Sequence, residues 1–121
     1  MKTFLRFWLP PLAYCLVIFL LSSQSTAVVT HDKIAHTCAY AIMAFLFARA
    51  CSAHTSVFWK IWLFAFLIST FYGVSDEFHQ SFVPGRNSSI DDVMADALGA
   101  FIGGFVYVSL TRIPKLRSSN R

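Results

Sequence analysis

The chain has 121 residues, 56% of them hydrophobic and only 13% charged, with a net charge of +4. A soluble domain carries about 25% charged residues, so a water-exposed globular fold is excluded as the expectation and a membrane-embedded one replaces it. The positive charge does not point to nucleic acid, because the basic residues bracket hydrophobic runs instead of forming a stripe with aromatics.

Four apolar segments follow in chain order, at about residues 4–21, 34–50, 57–75 and 93–110. Each is close to the length of about 17–25 residues with which a helix crosses hydrocarbon. In lipid, only structures that satisfy every backbone group internally survive, and runs of this length do so as helices. The expectation is an all-α, polytopic membrane protein: a bundle of four transmembrane helices forming one membrane domain over residues 1–121. Pro10 and Pro11 predict that the first helix starts or kinks there. Lys2 and Arg6 before this run, with Ser25-Thr26-Ala27 after it, also fit a cleaved leader, which is the lesser reading.

Orientation follows from the basic residues. Alternating sides place Lys2, Arg6, Arg49, Lys60, Arg112, Lys115, Arg117 and Arg121 on one face, and only Lys33 and Arg86 on the other. Lys and Arg are retained on the cytoplasmic side, so both termini are expected inside. The six acidic residues, Asp32, Asp76, Glu77, Asp91, Asp92 and Asp96, then all fall at the outer end, with His31, His36 and His79 beside them. Ionisable groups at membrane depth are costly unless they face one another or water, so they mark a site. Cys15, Cys38 and Cys51 are odd in number and make no C-x-x-C, which argues against a disulfide framework or a zinc knuckle.

The second helix carries Asp32, His36 and Tyr40 at i, i+4 and i+8, one face of a helix. Asp32 is placed to cap the helix start. The third ends with Tyr72, Asp76, His79 and Gln80 on one face, and Glu77 turns away from Asp76. A carboxylate one turn before a histidine can hold the imidazole in one tautomer. Pro84-Gly85 predicts a tight turn that presents Arg86, a residue suited to bidentate contact with phosphate or carboxylate. The fourth helix opens with Asp91 as a cap or first-turn acid, then Asp92 and Asp96 one turn apart. Ala95, Gly99 and Gly103 form a small-residue ladder that draws this helix against the second or third, bringing Asp96 near His36 or His79.

The stretches 32–40, 72–86 and 92–99 resemble, in the same order, the signature of VanZ-like bacterial membrane proteins, over a core of about residues 30–110. The resemblance implies a core of about four membrane helices. It carries over His36, Tyr40, Asp76, Glu77, His79, Gln80, Arg86, Asp92 and Asp96 as site positions. It also implies kinship with membrane enzymes of lipid head-group chemistry, and the family's namesake is associated with glycopeptide tolerance.

Two functions are expected to compete. The first is a lipid phosphoester hydrolase or head-group transferase in the bacterial cytoplasmic membrane, with its polar site on the periplasmic or extracellular side. In that reading His79, oriented by Asp76, is base or nucleophile, and His36 protonates the leaving oxygen; Glu77 and Asp96 complete the catalytic group. Arg86, Gln80, Tyr40 and Tyr72 contact a membrane lipid or lipid-linked substrate. Asp92, Asp96 and Glu77 offer a divalent metal ion oxygen ligands, and a two-histidine set would admit zinc. The second reading is a non-enzymatic protein that binds a lipid or cell-wall precursor, or one whose polar cluster only ties helices together. A small proton-coupled transporter is a third. No Gly-rich phosphate loop, nucleophile-elbow serine or H-E-x-x-H occurs, which leaves histidine and carboxylate chemistry.

Overall fold

The computed structural model describes residues 1–24 and 33–119, with side chains described through Ile113. Among the described residues the chain is helical and contains no strand: α1 Lys2–Phe7, α2 Leu9–Ser22, α3 Lys33–Cys51, α4 Phe58–Gln80 and α5 Ile90–Ser119. Three helices are long and apolar enough to cross a membrane, α3, α4 and the Ile90–Ile113 part of α5.

The first predicted segment is two helices rather than one. The break falls at Trp8, and Pro10 and Pro11 occupy the first turn of α2, where missing N–H groups cost nothing. With 14 residues, α2 is a shorter apolar helix, about 21 Å long at 1.5 Å per residue. Of the four spanning helices expected, three have that length, and the first is this shorter apolar helix. Asp32 and His31, with the predicted cap, lie outside the described residues.

Helices α3, α4 and α5 pack as a core, and α2 lies against α3 and α4. The closest approach is between α3 and α5. A Cβ on Gly99 would collide with the Thr37 carbonyl, and one on Gly103 with that of Ala41. The predicted ladder thus faces α3 and brings two backbones together, as small residues permit. Tyr40, Met43, Phe47, Ile61 and Ala65 fill the space between the helices. Large apolar side chains such as Leu16, Phe71, Phe78 and Phe105 face outward, an arrangement that hydrocarbon favours and water would not.

Two polar devices fix the α4–α5 connection. The Arg86 N–H bonds the Val83 carbonyl across Pro84-Gly85, and Gly85 has φ 79°, a conformation that favours glycine. Ser89 then caps α5, its Oγ accepting from the Asp92 N–H at 3.2 Å. Helix α4 extends past the predicted end at 75 to Gln80. Its last turn is polar, but Asp76, Glu77 and Gln80 are buried against neighbours, so packing holds what hydropathy alone would end.

Candidate functional site

One end of the helical core gathers the ionisable groups. Asp76, Glu77, Gln80, Asp92 and Asp96 are all buried there, and Asp96 is fully so (0% exposed). His36 on α3 turns toward α5, and its Nδ1 lies 2.9 Å from Asp96 Oδ1. A buried carboxylate on one ring nitrogen fixes the ring's orientation and leaves the other nitrogen free for chemistry.

The two adjacent acids of α4 have different partners. Asp76 Oδ2 accepts from the Gln80 side-chain amide at 3.0 Å. Glu77 Oε2 accepts from the Ser89 N–H at 3.2 Å, tying α4 to the start of α5. Their second oxygens, Asp76 Oδ1 and Glu77 Oε1, and likewise Asp96 Oδ2 and the Tyr40 hydroxyl, are buried with no hydrogen-bond partner. Such atoms are uncommon in native structures and call for an explanation. His36, Glu77 and Asp96 each offer one ligand atom, all within 4.8 Å of one another, and can hold a metal ion. Asp92, expected to join Glu77 and Asp96 in that role, is buried beside them but is not in this group; His36 takes its place.

A cavity of about 230 Å³ opens beside the dyad, between α2, α3, α4 and the α4–α5 turn. Ile18, Leu21, Ala35 and Ala39 give it apolar walls, and His36, Tyr40, Asp76, Gln80 and Arg86 give it polar ones. Arg86 Nη2 donates to the Leu21 carbonyl at 3.0 Å, which draws the end of α2 over the cavity. No carboxylate among the described residues pairs with Arg86; Asp91 meets Lys33 at 3.4 Å on the surface. A guanidinium beside an imidazole and an apolar wall suits an amphiphile with an anionic head.

Five of the expected residues do not line this cavity: Glu77, Asp92 and Asp96, which are buried in the core cluster, and His79 and Tyr72, which contact α2. His79 faces α2: its Nδ1 is 3.5 Å from Ser22 Oγ and its ring stacks on Phe19 at 4.7 Å. Its expected partner, Asp76, bonds Gln80 instead. Tyr72 donates its hydroxyl to the Cys15 carbonyl and so acts as a strut between α4 and α2. Sequence reasoning missed Ser89 and Gly73. Ser89 was legible as the first residue of a Ser-x-x-Asp cap. Gly73 lets α4 approach Asp96: a Cβ there would lie 3.0 Å from Asp96 Oδ2 and 3.2 Å from the Tyr40 ring.

Three apolar helices of spanning length, around buried carboxylates and a half-buried histidine, mark a helical membrane protein with a polar cluster in its core. The VanZ/LLP1 family profile matches residues 6–112, nearly the whole chain, and the chain belongs to that family. Comparison with curated proteins and with solved structures returned no match.

Proposed function

We propose that this membrane protein acts on lipid head groups or lipid-linked phosphoesters of the cell envelope, as a hydrolase or head-group transferase. The observation that carries the reading is His36, set with Arg86 in the wall of one cavity and held by the buried Asp96. Asp96 holds the imidazole, and the free ring nitrogen takes the proton of an attacking water or head-group hydroxyl. Arg86 binds the phosphoryl oxygens and stabilises their charge as it develops. The apolar walls accept the adjoining acyl or prenyl chain. His79 serves at the α2 rim, where it packs against Phe19, and not as the base.

The membrane placement belongs to the same proposal. Arg49 donates to the Arg6 carbonyl, Arg112 lies over Phe58 and Lys60 begins α4, so these cations share the end opposite the site. That end faces the cytoplasm, the α1–α2 segment is the fourth membrane element, and the site opens to the outer leaflet of the bacterial cytoplasmic membrane.

The test is turnover of labelled phospholipids, polyprenyl phosphates and polyprenyl pyrophosphates by the protein in detergent, with His36→Ala and Asp96→Asn alongside. Loss of turnover in both folded variants supports the reading. Turnover that survives both changes sinks it. Tight binding with no product from any lipid moves the chain to the non-enzymatic class.

A further inference from the structure

We infer that His36, Glu77 and Asp96 form a binding site for one divalent first-row transition-metal ion, of Mn²⁺ or Zn²⁺ chemistry, enclosed between α3, α4 and α5. The inference rests on coordination chemistry and holds whether or not the chain turns over a lipid.

The donor atoms come from three different helices and lie within 4.8 Å of one another. An ion with bonds of about 2.1 Å sets two adjacent ligands about 3 Å apart, and His36 Nδ1 and Asp96 Oδ1 are already at 2.9 Å. Glu77 is half engaged, its Oε2 fixed by the Ser89 N–H. Glu77 Oε1 and Asp96 Oδ2 are left buried and bare, on side chains whose residues are 5% and 0% exposed. A ligating carboxylate held by one hydrogen bond, as Glu77 is, is the usual design of a metal site.

Charge points the same way. Among the described residues, no Lys or Arg pairs with Glu77 or Asp96, and Asp96 pairs with the His36 imidazole. Two carboxylates buried at membrane depth need compensation, and one divalent ion supplies it. Gly73 adds a steric sign, because a Cβ there would press on Asp96 Oδ2 at 3.0 Å; α4 is bare of side chain where that oxygen needs space.

The donor set selects the ion. All-oxygen sites suit Mg²⁺ and Ca²⁺, whereas an imidazole nitrogen beside two carboxylates suits first-row metals. No cysteine is in the group, so a soft ion is not favoured. Three protein ligands leave positions open, and His36, 20% exposed at its side chain, places them at the cavity.

The experiment uses the full chain in detergent, stripped with a chelator and titrated with Mn²⁺, Zn²⁺, Mg²⁺ or Ca²⁺. Bound metal is counted by elemental analysis and stability followed by thermal unfolding. The expected result is one Mn²⁺ or Zn²⁺ per chain, a saturable rise in Tm, and little effect of Mg²⁺ or Ca²⁺. Glu77→Gln and Asp96→Asn each weaken binding at least tenfold, whereas His54→Ala, at the far end, does not. Pulsed EPR of wild-type protein loaded with Mn²⁺ shows a directly bound imidazole nitrogen, a readout that needs no variant to fold. Absence of stoichiometric binding by wild type, binding unaltered in both carboxamide variants, or a spectrum without nitrogen coupling overturns the inference. Metal binding without turnover leaves this site standing and sinks the lipid chemistry; turnover by wild type that binds no metal overturns this site and leaves the lipid chemistry standing.

Discussion

His36 Nδ1 and Asp96 Oδ1 lie 2.9 Å apart although sixty residues separate them in the chain. Helices α3 and α5 can bring them together only because Gly99 and Gly103 present no side chain to the Thr37 and Ala41 carbonyls. The chemistry of the site and the packing of the core are thus one arrangement.

Replacing Gly99 or Gly103 with alanine places a methyl group against backbone, which cannot rotate away. The expected cost is about 1–3 kcal/mol, read as a fall in thermal stability in detergent, together with loss of site function. Gly104→Ala is the control: its nearest neighbour is the Trp62 ring at 3.2 Å, a side chain that can shift, so the loss is smaller.

Removing either member of the dyad should lower turnover of the lipid substrate by about 10²–10⁴-fold, the usual worth of a positioned acid–base group. His36→Ala and Asp96→Asn are the variants, and their effects should not add, because each disables the other. His79→Ala should cost far less, since that ring does not line the cavity and contacts Ser22 and Phe19 of α2. Steady-state rates of the double variant check the non-additivity.

Arg86→Gln should raise KM for an anionic lipid more than it lowers kcat, and Arg86→Lys should recover part of the loss. A charge-assisted bond is worth about 1.5–3 kcal/mol, which corresponds to roughly a 10- to 150-fold change. Competition by head-group analogues of differing charge measures it.

Tyr72→Phe deletes the bond that ties α4 to the Cys15 carbonyl. The expected loss is about 1 kcal/mol. It should appear as faster labelling of the Cys15 thiol, because α2 lifts from α4 more often. Cys38, which is already exposed, should label at an unchanged rate.

Membrane orientation is testable with single cysteines in a background lacking the native three. Cysteine at Ser88, in the exposed turn before α5, should react with an impermeant reagent in whole cells. Cysteine at Ser56, between α3 and α4, should react only after lysis. The reverse pattern would place the site on the cytoplasmic side and overturn the outer-leaflet assignment.

Much of this was legible along the chain. Helix positions follow from hydropathy, and the small-residue ladder announces a close helix contact. Periodicity places His36 with Tyr40 and Asp76 with Gln80, since residues one turn apart share a face whatever the helix packs against. The break at Trp8 was half legible: Pro10 and Pro11 marked a disturbance, but whether it kinks or restarts the helix depends on neighbours. The apolar run of α4 ends near residue 75, and helical spacing carries the helix on to Gln80; what was not legible is the burial of that polar last turn.

Sequence by itself determined the class, the family signature and the end of the molecule that holds the ionisable groups, all of which rest on local hydropathy and helical period. The tertiary structure alone decided the partners. It gave Asp96 to His36 and not to His79, joined Asp76 to Gln80, and set ligand atoms of His36, Glu77 and Asp96 within 4.8 Å of one another. The physical reason is that a helix face specifies direction relative to its own axis, whereas a distance between side chains depends on how closely and at what rotation two helices meet, which the Gly99 and Gly103 contacts with α3 fix.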